Sequence, residues 1–318
     1  MVKQKNIKML KHLVFSSFLF NSLGFAQIKS EQISAPKTNL ADFHLTNNVR
    51  FVQIKSVDYY NQQVTTGFLD NEYFNQVEYH FNANGNLINR TNYLEYGNRL
   101  GIYSIENYQY NPQNFINQYE KIIVNNGEDP KRVEELKTYS YSNNRLIRED
   151  YTHQSKSKKT TYQTLYEYQN NLTKITDQVE QVKNAEVNFT YNPKNELVQS
   201  QTTLFNGKKG QTEFLISNEK GQPIAYEKII NNQKTYVFED YSNHKTTRQY
   251  FDNQLNLIKE EVFQNNDLIR LKKKENESQN SLSTFTFDYQ YDSFGNWITC
   301  LVKRNGSPYQ TIIRQIKY

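Results

Sequence analysis

Glycine and proline are scarce in this chain, at 11 and 6 of 318 residues. Its turns must therefore be built largely by asparagine, aspartate and serine, which tolerate left-handed geometry and bond to their own backbone. A single cysteine, Cys300, excludes an internal disulfide, so packing alone has to hold the fold. The five histidines, His12, His44, His80, His153 and His244, stand in separate segments without ligand spacing. No metal and no cofactor is expected. The sequence has no Gly-x-Ser-x-Gly, no His-Glu-x-x-His and no phosphate loop. Glu134-Glu135 and Glu260-Glu261 are adjacent, and adjacent side chains on a strand point to opposite faces, so neither pair is an acid–base couple. The chain is expected not to be an enzyme and to have no catalytic residue. Its net charge of +5 is mild. The basic runs Lys156-Ser157-Lys158-Lys159 and Lys272-Lys273-Lys274 read as solvated turns or strand faces, and no nucleic-acid partner is expected.

The chain begins with Lys3, Lys5, Lys8 and Lys11, then an apolar run from Leu13 to Phe25, then Gly24-Phe25-Ala26. This pattern predicts a secretory signal over residues 1–26, cleaved after Ala26. The rival reading is an uncleaved anchor, although the run is short for a bilayer span. No cysteine follows it, which speaks against a lipid-anchored lipoprotein. The expected location is periplasmic, outer-surface or extracellular, with no stable transmembrane segment in the mature chain. Residues 27–42 read as an N-terminal linker and residues 43–318 as one repeat domain.

What the chain does have is aromatic residues, 25 Tyr and 19 Phe, within a composition that is only 36% hydrophobic. Disordered chains are poor in aromatic and β-branched residues, which argues for a folded domain. One unit recurs: aromatic, any residue, aromatic, a polar turn, then an aliphatic residue or Trp. Copies begin at Tyr79, Tyr108, Tyr139, Tyr166, Phe189, Phe214, Tyr250 and Tyr289, roughly 23 to 40 residues apart, after a degenerate unit from His44. In the last copy Phe285, Phe287, Tyr289 and Tyr291 alternate with Thr286, Asp288 and Gln290, the period-two pattern of a strand with one buried face. Asn or Asp opens each of the best turns and Gly85 or Gly295 follows later, the order of a type I turn completed by a left-handed residue. A looser turn, such as "VNNGED" at 124–129 or "KRNGS" at 303–307, joins one unit to the next. The fold class is all-β: tandem hairpins forming an elongated or curling antiparallel meander, with no helical domain after the signal. Segment 128–138 is the one place for a helical turn, and 270–283 reads as a long polar loop. Whether the sheet curls, closes or stays open is not fixed by the pattern.

The stretches "YDSFGNW" at 291–297 and "FNANGNL" at 81–87 resemble the core of the YD repeat of Rhs-type and teneurin-type proteins, and of secreted YD-repeat-like proteins of Bacteroidetes. The resemblance covers nearly all of the mature chain, but only the last copy combines Tyr291, Asp292 and Gly295. It implies an all-β fold of hairpins, which in those families build a spiralling shell, and carbohydrate binding has been attributed to some members. The units here are longer, and no Rhs core or C-terminal toxin follows.

The repeat-turn and candidate binding-surface residues are Tyr79, Phe81, Gly85, Tyr108, Tyr110, Tyr139, Tyr141, Tyr166, Tyr168, Tyr191, Tyr289, Tyr291, Asp292, Gly295 and Trp297. Their plain reading is sheet packing. Their sharper reading is an aromatic platform that stacks on sugar rings or docks a protein. The expected role is an exported, non-catalytic envelope protein that binds envelope polysaccharide or another exported protein. The alternatives are a structural envelope scaffold without a small ligand and an outer-membrane barrel. Charges in the outward rows, and Arg314 within the last strand, argue against the barrel in lipid. Cys300 reads as a packed thiol, and Trp297 as a cap on the last unit. Oligomeric state is left open.

Overall fold

The computed structural model describes residues 39–58, 74–97, 99–124, 132–155, 157–193, 195–205, 212–218, 223–230, 233–242, 244–265, 267–274 and 281–318. The predicted signal over 1–26 lies outside the described residues. The strands are β1 (Phe51–Asp58), β2 (Gln76–Phe81), β3 (Leu87–Tyr96), β4 (Arg99–Tyr110), β5 (Ile116–Ile123), β6 (Arg132–Ser142) and β7 (Arg145–Gln154). They continue as β8 (Lys159–Tyr168), β9 (Leu172–Val179), β10 (Val182–Tyr191), β11 (Leu197–Leu204), β12 (Thr212–Ser217), β13 (Pro223–Ile230) and β14 (Gln233–Ser242). The last are β15 (Lys245–Phe251), β16 (Leu257–Gln264), β17 (Asp267–Lys273), β18 (Ser283–Tyr291), β19 (Trp297–Arg304) and β20 (Ser307–Lys317). Each pairs antiparallel with its sequence neighbours, and β1 pairs with β20 from Phe51↔Lys317 to Asp58↔Gln310. The meander is therefore a closed barrel of twenty strands. Closure removes the sheet edges that an open meander would expose.

Directly paired residues lie on the same face of a sheet. Phe287, Val302 and Gln310 form one such row, and Tyr289, Cys300 and Ile312 the next. Val52, Tyr79 and Arg90 continue this face on the other side of β20. The buried side chains concentrate on it: Tyr79, Tyr108, Tyr139, Phe285, Phe287, Cys300, Val302 and Ile312 are at most 7% exposed. Side chains converge on the concave side of a barrel and diverge on the convex side, so this covered face is the inner one. The outer face carries Gln53, Glu78, Arg148, Asp150, Gln163, Asp288 and Lys303, joined by hydrogen bonds and ion pairs.

The tight turns share one construction. Asn82 Oδ1 accepts from the backbone N–H groups of Asn84 and Asn86, and the Gly85 N–H returns to the Asn82 carbonyl. Asn111, Asn192, Asp252 and Asp292 repeat this, each accepting at its side chain from the residue four positions on. The fourth residue of each turn is left-handed: Gly85 at φ 77°, Asn114 at 64°, Asn195 at 63°, Leu255 at 66° and Gly295 at 82°. The register then shifts by one residue where the return strand starts, at Phe81↔Leu87, Tyr110↔Ile116 and Tyr291↔Trp297 among others. A bulge of this kind bends and twists the hairpin, which helps the sheet curl.

Two expectations need correction. Segment 128–138 does not turn helical over its described part: β6 runs from Arg132, because its Tyr139 and Lys137 alternate into the barrel against Glu149 and Tyr151. The polar segment 270–283 is not a loop throughout: β17 extends to Lys273 and β18 starts at Ser283, since Leu271 pairs with Phe285 and the intervening lysines alternate with it. The eight tight turns of the repeat do not form one row. The copy from Tyr250 turns between β15 and β16, at the rim opposite to the others, because three strands rather than two separate it from its neighbours on each side. These are the two longest intervals of the series, and together they bring the final turn back to the rim of the first.

Leucine is poorly suited to a left-handed position, where the Cβ meets the following carbonyl. Leu255→Asn and Leu255→Gly should each raise stability by roughly 0.5–1 kcal/mol, read as a higher denaturation midpoint. Gly85→Ala should cost more than Gly295→Ala. A Cβ at Gly85 would sit 3.1 Å from Leu40 Cδ1, whereas one at Gly295 meets nothing within 4 Å.

Candidate functional site

Two linked features stand out: the inward tyrosine rows and the place where the chain ends meet. In the first four units the leading aromatic is deeply buried, at Tyr79, Tyr108, Tyr139 and Tyr166, as is Phe81, whereas Phe189, Tyr250 and Tyr289 are half-buried and Phe214 is 44% exposed. The next tyrosines, Tyr110, Tyr141, Tyr168, Tyr191 and Tyr289 among them, are half-buried. The Tyr110 hydroxyl donates to the Leu87 carbonyl at 2.7 Å, Tyr141 to Ile116 at 2.8 Å and Tyr168 to Leu146 at 2.9 Å. Tyr191 donates to the Leu172 carbonyl at 2.7 Å and Tyr289 to Leu268 at 2.8 Å. Each acceptor belongs to the preceding hairpin. Each lies two residues beyond the last backbone pair between the two hairpins, such as Asn89↔Asn107 or Gln118↔Thr138. The tyrosine thus extends the ladder by one bond where the sheet splays at its rim. Burial, then the nearby Glu149, pushes the Tyr141 hydroxyl up to about 12, so the donor stays protonated throughout the physiological range. The candidate platform is therefore a covered inner seam in which the hydroxyls of Tyr110, Tyr141, Tyr168, Tyr191 and Tyr289 are committed to neighbouring hairpins.

Further along the strands the inner face becomes charged, and many of its polar groups pair with one another, while Asn92 Oδ1 and the Tyr139 hydroxyl have no hydrogen-bond partner among the described residues. Asn92 donates to Ser104 Oγ at 2.9 Å and to Glu106 at 3.0 Å, and the Tyr108 hydroxyl donates to the other Glu106 oxygen at 2.9 Å. Lys121 pairs with Glu135 at 3.2 Å and Lys137 with Glu149 at 3.1 Å. Thr164 donates to Asp177, and Arg248 to Glu239. Cys300 is fully buried beside Tyr289, and burial pushes its thiol up to about 12. A thiol so placed is neutral at neutral pH and a poor nucleophile. Among the described residues no group of three His, Cys, Asp or Glu side chains is placed to hold a metal ion.

The chain ends converge on the last turn. Residues 39–50 cross the rim from the first turn to the last. Leu40 N–H donates to the Gly85 carbonyl at 3.0 Å, and the Phe43 ring packs on Tyr79 and Phe81 at 4.9 and 5.6 Å. Leu45 and Val49 join the core. The Thr46 N–H then donates to Asn296 Oδ1 at 2.7 Å, and its hydroxyl to the Phe294 carbonyl at 2.8 Å. Asn296, fully buried, donates in turn to the Thr46 carbonyl and to the Tyr318 hydroxyl. Tyr318 donates to Asp292 and lays its ring 4.5 Å from Phe294. Beneath this clasp Trp297 is 3% exposed, with the Arg314 guanidinium 3.5 Å from its ring centroid and Tyr289 at 5.6 Å. Arg314 does not break the final strand; it occupies an inner position, paired in register with Ile54. Desolvation alone would raise the Asp292 carboxyl. The Tyr318 hydroxyl and the N–H groups of Asn296, Phe294 and Gly295 outweigh it and hold the group below its ordinary range.

Of the sequence-derived candidates, the structure thus brings Asp292 and Trp297 together at the clasp, with Gly295 in the same turn, and leaves Tyr291 about half exposed at its flank. It spreads the other tyrosines along the inner seam. Sequence reasoning missed Thr46, Asn296 and Tyr318. The only local signal was a buried-type Asn standing between Gly295 and Trp297.

Tyr141→Phe should cost about 1 kcal/mol, the worth of one neutral hydrogen bond, with the fold intact by circular dichroism. Trp297→Leu should cost about 2–4 kcal/mol, because the cavity is not refilled and the stacked Arg314 loses its ring. Asp292 has a depressed folded-state pKa. Its stabilisation is therefore complete above the unfolded-state value and fades as pH falls through the folded one. Asp292→Asn should accordingly flatten the dependence of thermal midpoint on pH across the acid range below the ordinary carboxylate value.

No family model and no curated protein matches the sequence. Among solved structures, a porin-like protein from Bacteroides uniformis aligns over 86% of this chain and 99% of its own, at 12% identity and a TM-score of 0.34. The TcdB2-TccC3-Cdc42 complex aligns over 74% of this chain at 12% identity and a TM-score of 0.25, and the matched part is 17% of that chain.

Proposed function

We propose that the protein is an exported, non-catalytic, YD-repeat-like barrel that serves as a structural component of the cell envelope. The observation that carries this reading is the commitment of the tyrosine rows. Their rings fill the inner seam and their hydroxyls bind neighbouring hairpins, so they act as mortar. The leader-like start supports export. The outer face supports a barrel surrounded by water: Arg148, Asp150, Glu260, Arg270 and Lys272 stand on it, part-way along their strands. A lipid-facing cation at the bilayer midplane costs about 2–4 kcal/mol, and this face carries several.

A second reading, binding of envelope polysaccharide or an exported partner, is favoured by one observation. Tyr291, Phe294 and Tyr318 are 49%, 52% and 45% exposed around the clasp. Sugar titration of the wild type against Phe294→Ala tests that reading; equal or absent binding would sink it.

For the structural reading, the full-length chain should be expressed with its leader and the envelope fractionated. The expected mature N-terminus is Gln27, and the protein should be released by salt or carbonate washes without detergent. Retention until detergent is added would replace the proposal with a membrane-embedded barrel.

A further inference from the structure

The two rims of the barrel differ. Over the arc from β3 to β12, the clasp-side turns are built mainly from asparagines, including Asn82, Asn84, Asn111, Asn143, Asn144 and Asn192. Asn84 even donates to Asn114 in the next turn, at 2.9 Å. The exposed apolar residues on that side, Ile88 and Ile147, lie just inside the strands. The described residues beside the tips of the opposite rim over the same arc include several exposed apolar side chains. Tyr96 and Leu100 flank the β3–β4 turn at 44% and 48% exposure, and Val133 opens β6 at 39%. Val182 follows the β9–β10 turn at 69%, and Phe205, just past β11, is 49% exposed. Cations stand among them. Arg99 is exposed at the first tip, Lys158 and Lys159 at the β7–β8 tip, and Lys183 places its ammonium 4.6 Å from the Phe205 ring centroid. Among the described residues the carboxylates of this rim are Glu95, Glu134, Glu180, Glu186 and Glu213, the last accepting from Ser200 Oγ. Glu134 faces Lys121 and Arg132, Glu180 accepts from the Thr161 N–H, and Glu186 pairs with Lys183. That leaves Lys158 and Lys159 beside a rim whose described acids, Glu95 apart, are already engaged.

We infer that this rim docks the barrel, tips first, onto an anionic lipid bilayer. The apolar residues are not one patch. They lie on four of five successive tips, with Tyr96 and Leu100 sharing the first and the basic β7–β8 tip in the middle, which suits an extended, adaptable surface better than a compact partner. An aromatic or aliphatic tip enters the interfacial region while neighbouring lysines meet the headgroups, the two signals that stable peripheral attachment needs. Positive charge on the rim complements anionic headgroups; on the asparagine rim over the same arc Arg145 lies over the Tyr168 ring and no described lysine pair like Lys158 and Lys159 stands at a tip. The inference goes beyond the structural role and is tested independently of export.

The purified mature chain is sedimented with vesicles of phosphatidylcholine alone and of phosphatidylcholine mixed with phosphatidylglycerol. Sedimentation with the anionic vesicles, weakened by salt, is expected. The combined Leu100→Ser, Val182→Ser and Phe205→Ser variant should lower partitioning by about tenfold or more. Lys158→Glu with Lys159→Glu should do the same, by roughly tenfold. Phe294→Ser, at the far rim, should bind as the wild type does. All variants change exposed side chains, and their thermal midpoints report whether the barrel is intact. No sedimentation with anionic vesicles overturns the inference. Binding that survives the apolar substitutions but vanishes on charge reversal also overturns it, because it marks a generic polyanion site.

Discussion

The hydrogen bond from a rim tyrosine to the carbonyl of the previous hairpin is the contact on which this architecture turns. A hairpin pairs well within itself, but twist pulls neighbouring hairpins apart where they approach the rim. The inter-hairpin ladders here stop two or three residues short of each return strand's first residue, at Arg148↔Leu165 and Lys174↔Asn188 for example. A carbonyl left there inside a crowded seam would be unsatisfied, which is costly. The tyrosine three positions beyond the last pair answers it, at Tyr110, Tyr141, Tyr168, Tyr191 and Tyr289 alike. Phenylalanine could fill the same space but not the same bond, which explains why this place in the unit is filled by Tyr so often in a chain rich in both rings.

This geometry also explains why the unit has two aromatics rather than one. The first, as in Tyr108 or Tyr166, lies one step further from the rim and is almost wholly covered. The second must reach across to another hairpin and therefore stays half-exposed. In β12 the equivalent place falls on Ser217, and in β20 on Ile316, so the device is used where hairpins repeat regularly and dropped near the irregular stretch and the closure.

Much of the fold was legible in the sequence because its signals are local. Alternation at Phe285, Phe287, Tyr289 and Tyr291 names both the strand and its covered face. Asn82 or Asp292 opening a turn that later holds Gly85 or Gly295 names the loop geometry, since only a few residues tolerate φ near +80°. Closure was not legible, because pairing of β1 with β20 joins residues that no local pattern relates. Nor was the displaced turn at Asp252: its chemistry matches the others, and only the number of intervening strands puts it at the opposite rim. Arg314 was misleading for the same reason. A charge among apolar neighbours reads as an interruption until Trp297, from another strand, is found beneath it.

Closure adds a constraint that a growing meander does not have. Antiparallel strands can form a ring only in even number, and the two chain ends must then finish at the same rim. One three-strand interval would have left the final turn facing away from the start of the chain; two such intervals restore it. The last unit is thereby delivered beside residues 39–50, and its Asp292, Asn296 and Trp297 can hold both ends at once. The best-formed copy of the repeat stands where a ring is hardest to complete. A hairpin in mid-array is held by a neighbour on either side, whereas the first and last strands are neighbours only if the chain ends are brought together. Loop-closure entropy opposes that meeting more than any other contact in the chain, because the loop to be closed is the whole barrel. A turn that binds the backbone at Thr46, the terminal Tyr318 and its own Asp292 side chain supplies several short-range bonds at the point where that cost falls.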